Sequence, residues 1–198
     1  YNNLLDLDAA LTLSLEISEP NAIAVKHNNP CGAAYGNDGD DVIQRLVITD
    51  PVSIFGGIVA TNCIVTQAMA EDLGKIFLEC IVAPEYSPQA LDVFAKKKNL
   101  RLLKYKPKTT KSPLIVKSIM GGFLVQDQDS FPSPMDQWKI FGPTRIPEGL
   151  VSDLIFGEKV CGYLKSNSIA LINNRMTIGL GMGQVNRVDA VEQSLSRA

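Results

Sequence analysis

Apolar residues recur along this chain in two alternating periods, one helical and one extended. Leu4, Leu7, Leu11 and Leu15, with Leu5 and Ala10 close to the same face, are spaced for a helix over residues 3–18, with Asn2 or Asn3 as its N-cap. Glu19-Pro20 is expected to end it, because the residue before proline is pushed out of the α region. The unbroken run Ala22 to Val25 predicts a buried strand over 22–26 that stops at Lys26-His27-Asn28-Asn29-Pro30-Cys31-Gly32. Asp38 to Asp41 suit the positive end of a helix that buries Val42, Ile43, Leu46 and Val47, and Thr49-Asp50-Pro51 breaks it. Ile54 to Ala60 reads as a buried strand interrupted by Gly56-Gly57, where a bulge or a close backbone approach is expected.

The alternation continues. Thr66 caps a helix to about Leu78, and Cys80 to Ala83 is a short strand. Ser87-Pro88 opens a helix with Lys96-Lys97-Lys98 in its last turn, followed by a strand over Leu100 to Tyr105. Strands and helices joined by short connections predict an α/β sandwich with a largely parallel sheet. From Lys106 to Pro113 the composition turns to Lys, Pro, Thr and Ser, which ends a first unit. Leu114 to Gln126 predicts two short strands around Gly121-Gly122, and the proline-bearing residues 127–147 an extended connection. A helix over 148–165 is expected to bury Leu150, Leu154, Ile155, Val160 and Leu164. A hairpin follows, with Ser168 to Ile172 and Met176 to Leu180 joined at Asn173-Asn174. A last helix starts near Arg187. Gly179, Gly181 and Gly183 have the wrong spacing for a dinucleotide fingerprint and follow a hairpin rather than the first strand of a βαβ unit.

Composition narrows the classes. Among 198 residues, 45% are hydrophobic and 20% charged, as in ordinary globular proteins. A formal charge of −2 and a pI near 5.4 give no basic footprint for nucleic acid, and Lys96-Lys97-Lys98 reads better as a helix-end cation cluster. No apolar run approaches the roughly 18 residues of a membrane span, and Tyr1-Asn2-Asn3-Leu4-Leu5-Asp6 lacks a signal-peptide layout. The expectation is a cytoplasmic protein whose sequence begins inside a longer one. Cysteines 31, 63, 80 and 161 match no zinc spacing and read as reduced and structural.

Lys26 and His27 carry the candidate chemistry. His27 is the sole histidine, and it follows a lysine at the end of an apolar strand. Open α/β sheets present ligand sites at strand carboxyl ends. A structural histidine beside a solvated lysine suits the same local pattern. A zinc-deaminase reading needs H-x-E and P-C-x-x-C, whereas here only Pro30-Cys31 is present and position 34 is Ala. No catalytic zinc is expected.

Lys26-His27-Asn28-Asn29-Pro30-Cys31-Gly32-Ala33 resembles the signature of the 5-aminoimidazole-4-carboxamide ribonucleotide (AICAR) transformylase domain of the bifunctional purine-biosynthesis enzyme that is also an IMP cyclohydrolase. The likeness extends from Tyr1–Asp6 through Asp50–Ala60, Phe77–Pro84 and Lys165–Ile169 to Gly181–Asp189. It implies a cytidine deaminase-like three-layer sandwich, with one complete unit at 1–112, a connecting segment at 113–147 and the start of a second unit at 148–198. It also implies formyl transfer from 10-formyltetrahydrofolate, as co-substrate, to the 5-amino group of AICAR, in a homodimer with shared sites. On this resemblance His27 is the base and Lys26 stabilises developing negative charge. In that role a neutral imidazole accepts the proton of the attacking amine. Neighbours on a regular strand point to opposite faces, so both reach one substrate only where the strand ends.

Other positions carry over in the same way. Gly56 resembles a glycine whose backbone lies against the nucleotide, and a packing bulge fits it equally well. Glu79 matches an acidic position that holds ribose hydroxyls, and it also suits a solvated helix-end charge. Asn167 resembles the amide that contacts the imidazole carboxamide. Arg187 matches a substrate-binding arginine, in a place where a helix start disfavours a merely structural cation. The upstream arginine-tyrosine segment, the folate-binding portion and the cyclohydrolase domain of such enzymes have no counterpart in this sequence. The alternative to a working transferase is therefore a fragment that binds nucleotide or dimerises without turnover.

Overall fold

The computed structural model describes residues 1–106, 114–129, 132, 133, 135–142 and 145–198. A helix, α1 (Asn2–Leu15), leads into the hairpin β1 (Asn21–Lys26) and β2 (Asn29–Tyr35), then α2 (Gly39–Thr49), β3 (Gly57–Thr61) and α3 (Gln67–Gly74). Next come β4 (Leu78–Ala83), α4 (Pro88–Phe94), β5 (Arg101–Lys104) and the hairpin β6 (Leu114–Ile119) and β7 (Gly122–Asp127). The last elements are α5 (Glu148–Gly162), β8 (Ile169–Asn173), β9 (Met176–Gly181) and α6 (Arg187–Leu195). The sheet order is β5-β4-β3-β1-β2-β9-β8.

That sheet is mixed. β3, β4 and β5 run parallel, as strand–helix alternation predicts, while β1 pairs antiparallel with both β2 and β3, and β9 antiparallel with β2 and β8. The largely parallel sheet of the sequence reading thus holds for one half only. The turn after Lys26 is too short for a crossover, so the chain returns beside itself. β8 and β9, within residues 148–198, continue the same sheet beyond β2. A lone hairpin is marginal in water, and the free edge of β2 gives it a sheet to join. Residues 107–113, where a break was expected, lie outside the described residues.

Helices cover both faces of the sheet. α1 and α5 bury Leu13, Phe156 and Val160 against Ile23, Val25, Ala33 and Tyr35. On the other face α2, α3 and α4 bury Leu46, Met69 and Phe94 against Ala22, Ala24, Val59 and Ile81. β1, central and covered on both sides, is therefore apolar at every position from Ala22 to Val25 rather than alternating. Leu150 and Leu154, expected in the core, are exposed, because α5 turns Phe156 and Val160 inward instead. Lys96, Lys97 and Lys98 lie beyond α4, which ends at Phe94.

Capping follows the sequence except in α1. That helix carries no side-chain cap at its start, and it stops at Leu15, ahead of Pro20. The stop is set by buried Asn21, whose amide donates to the carbonyls of Ser14 (3.1 Å), Ile17 (2.9 Å) and Glu19 (3.0 Å). Ser14 is in the last turn of α1, while Ile17 and Glu19 lie just beyond it, so one side chain ties the helix end to the segment that leaves it. Asp38 caps α2, its carboxylate accepting from Asp41 N at 2.9 Å. Asp38→Ala is expected to cost about 1 kcal/mol in urea unfolding.

Asp41 lies in the same first turn. The Asn37 N–H donated to its carboxylate, reinforced by the Arg45 guanidinium at 2.7 Å, holds that carboxyl below the usual range. A lowered folded value stabilises the protein above the unfolded value of about 3.9, and the gain is lost as pH falls through the folded one. Asp41→Asn should therefore destabilise near pH 6 by less than about 1 kcal/mol, the group being largely solvated, and by progressively less below about pH 4. Urea titrations at several pH values measure this. No helix among the described residues is long and apolar enough to cross a membrane.

Candidate active site

His27 and Asn28 form a two-residue turn between paired Lys26 and Asn29, and both have positive φ, 53° and 60°. Two central residues with positive φ are what a type I′ hairpin turn requires. The strand ends at Lys26, so His27 escapes the strict up–down alternation of its neighbours. A bulge between Ala24 and Val25 leaves Cys31 unpaired opposite them, with its Sγ donating to Ala24 O at 3.5 Å. The Lys26 ammonium donates to the Phe55 carbonyl at 2.7 Å, and Phe55 directly precedes Gly56.

Gly56 is a conformational requirement. Its φ is +75°, and its N–H donates to Phe77 O at 2.7 Å, closing the segment between Asp50 and β3. Ile54 and Phe55 belong to that turn, so β3 is shorter than the predicted Ile54–Ala60 strand. Asp50 organises the segment from its start by accepting from Val52 N (3.1 Å), Ser53 N (2.9 Å) and Ser53 Oγ (2.6 Å), an Asx-type turn. The site thus sits at the carboxyl end of β1 but at the amino ends of β3 and β4, a consequence of the antiparallel β1–β3 pairing.

Lys26 and His27 line one cavity of about 240 Å³ with Cys31, Asp50, Gln193 and Arg197. Arg197 reaches Asp50 at 3.7 Å and closes the end of α6 onto the end of α2. Burial pushes the Cys31 thiol up to about 12, with the Asp50 carboxylate adding to the shift, so it stays protonated and is no nucleophile. Among the described residues no cluster of three or more His, Cys, Asp or Glu is placed to hold a metal ion.

The remaining sequence candidates fall into two places. Gly56 follows Phe55, the Lys26 anchor, while Glu79, like Gly56, does not line the cavity. Glu79 stands on β4 rather than at a helix end, with its carboxylate taken by Arg101 at 2.7 Å. Asn167 and Arg187 lie outside the cavity of Lys26 and His27. Asn167, after a cis Ser166–Asn167 peptide, bonds Gln184 O through both its N–H and its Nδ2 at 3.0 Å. Arg187 is exposed at the start of α6. The Asn167 loop is tied to the cavity wall in two ways: Lys165 N–H donates to Asn29 Oδ1 at 3.2 Å, and Gln184, whose carbonyl holds Asn167, donates from Nε2 to Gln193 Oε1 at 3.2 Å. The sequence reading missed Asp50, Gln193 and Arg197. Asp50 was visible as a helix breaker and as the first residue of a family-like stretch, with no role assigned, and Gln193 on α6 and Arg197 just after it carried no local signal.

A family model described as "AICARFT/IMPCHase bienzyme" matches residues 1–197. The chain belongs to that family. Within it, a protein called "Bifunctional purine biosynthesis protein PurH" from Caldicellulosiruptor saccharolyticus is 45% identical over 199 residues, covering all of this chain and 39% of its own length. Proteins of the same name from Brachyspira hyodysenteriae and Staphylococcus aureus are 44% and 42% identical, again over the whole chain and over 39% and 40% of their lengths. This AICARFT/IMPCHase chain therefore spans about two fifths of the curated relatives it matches. The matched span includes both the Lys26-His27 turn and the loop carrying Asn167.

Proposed function

We propose that this chain carries the acceptor side of a formyl-transfer site in purine biosynthesis, with AICAR as acceptor and 10-formyltetrahydrofolate as donor. The observation that carries the reading is the convergence of Lys26 and His27 on one cavity, with the ammonium held on the Phe55 carbonyl. The acceptor amine is conjugated to an imidazole ring and is a poor nucleophile. As its nitrogen attacks the formyl carbon, the imidazole of His27 takes its proton. The carbonyl π pair becomes an oxyanion, which the Lys26 ammonium stabilises. Collapse breaks the bond to the folate nitrogen, which leaves with the proton returned by His27, giving formyl-AICAR and tetrahydrofolate.

A cavity of about 240 Å³ is smaller than the roughly 300–1,000 Å³ of complete small-molecule sites. Asn167 and Arg187 lie outside it. We accordingly propose a homodimer in which Asn167 and Arg187 of one copy complete the nucleotide site of the other, within a cytidine deaminase-like fold. Gly56 and Glu79 then border the ribose side.

The test is calorimetric titration with AICAR, followed by 10-formyltetrahydrofolate and measurement of tetrahydrofolate release. Turnover supports formyl transfer. AICAR binding without turnover supports the second reading, a nucleotide-binding chain that lacks its donor half. Absence of AICAR binding overturns both.

A further inference from the structure

We propose that Asp6 is a positioning residue for His27, its carboxylate holding the left-handed turn that aims the imidazole; this rests on the formyl-transfer reading above. Asp6 lies on α1, well before the turn in sequence. Its Oδ2 accepts the His27 N–H at 3.1 Å and its Oδ1 the Asn28 N–H at 2.7 Å. Both carboxylate oxygens are thus spent on consecutive backbone amides of one two-residue loop. Hydrogen bonds to an ionised acceptor are shorter and stronger than neutral ones.

The loop needs such a hold. Type I′ turns favour Asn-Gly or Gly-Gly, whereas this one places His27 first, at φ 53°, and Asn28 rather than glycine second, at φ 60°. Histidine reaches positive φ more readily than most residues but is not a preferred first residue of a type I′ turn, and no glycine follows it, so an added hold on the turn favours this geometry. His27 is exposed, and its amide would otherwise face water. The carbonyl side of the loop is fixed as well. Asn29 Nδ2 donates to His27 O at 3.2 Å, and Asn29 Oδ1 accepts from Lys165 N–H at 3.2 Å. Asp6 is half-buried on a helix packed against the sheet, which makes it a rigid reference for a solvent-facing turn. It touches neither of the groups assigned to proton transfer and charge stabilisation, so its effect runs through the placement of the imidazole.

Asp6→Ala in the intact protein should lower kcat by roughly 10- to 100-fold, the penalty of a displacement of about 1 Å at a reacting group. KM for AICAR should stay within about threefold, since uniform binding is untouched. Asp6→Asn keeps one acceptor oxygen and should fall between Asp6→Ala and the unsubstituted protein, which keeps the test available should Asp6→Ala not fold. The discriminating variant adds Asn28→Gly to Asp6→Ala. Glycine takes positive φ without a side-chain clash and should restore about tenfold in kcat if the lost element is turn geometry. Unchanged kcat in Asp6→Ala and Asp6→Asn overturns the proposal, as does a loss that Asn28→Gly fails to repair. Absence of formyl transfer in the unsubstituted protein overturns the functional reading first, and the positioning role with it.

Discussion

His27→Asn is expected to abolish formyl transfer, lowering kcat by about 10²- to 10⁴-fold, the range associated with a positioned general base. Asparagine suits the test because it is among the few non-glycine residues that readily adopt positive φ. It should therefore keep the 53° backbone of position 27 while removing the titratable ring. His27 is exposed, so little packing is lost and the melting temperature should stay within a few degrees. AICAR affinity should change by less than about threefold, because the proton is taken only in the transition state. His27→Gly also accommodates the turn, and added imidazole should restore part of its turnover. Lys26→Met, which keeps the aliphatic stem, is expected to lose about 10²- to 10³-fold through the missing charge on the oxyanion. Stopped-flow measurement of tetrahydrofolate formation separates these from effects on product release. Turnover in His27→Asn within tenfold of the parent would remove His27 from the role of base and leave Lys26 as the principal catalytic group.

How much of this site was legible beforehand depends on how local each part is. The strand Ala22–Val25 and its polar end were readable because both faces of β1 are buried, which writes a continuous apolar run. The starts of α2, α3 and α4 were readable because Asp38, Thr66 and Ser87 each bond a backbone N–H three residues on. Strand direction was not readable. Nothing local says that β1 turns back at His27-Asn28, or that β9 then pairs with β2 through Ala34 and Met176. The same limit hid Asp50 and Arg197, whose contact depends on α6 returning to the end of α2. Asn167 was named from motif likeness alone and Arg187 from that likeness plus its place at a helix start, and neither signal carries their distance from the Lys26 cavity. Even that hairpin was misread by one residue, because Asn174 and Arg175, at φ 49° and 67°, occupy its turn instead of Asn173-Asn174.

The alternating glycines of β9 lead to the largest expected effect on stability. They are no cofactor fingerprint. Gly179 and Gly181 project on the face of β9 that meets α6, where a Cβ at 181 would overlap the Ala190 carbonyl and one at 179 the Ser194 carbonyl. Ala190 and Ser194 stand one helical turn apart and are both buried, so strand and helix meet backbone to backbone. Neither obstacle is a side chain that could swing aside. Gly181→Ala must displace α6 itself, at an expected cost of about 3 kcal/mol, the upper part of the range for overpacking. That corresponds to a fall in melting temperature of roughly 6–12 °C for a chain of this size. Gly149→Ala, in α5 with open space around its Cα, is the control and should be neutral or mildly stabilising. The double variant Gly179→Ala with Gly181→Ala should cost little more than either single change, since one shift of α6 relieves both overlaps. Because α6 and the residues directly after it carry Gln193 and Arg197 to the cavity of Lys26 and His27, the same shift should weaken AICAR binding. Additive losses in the double variant would show that α6 stays in place and that each overlap is absorbed within the strand.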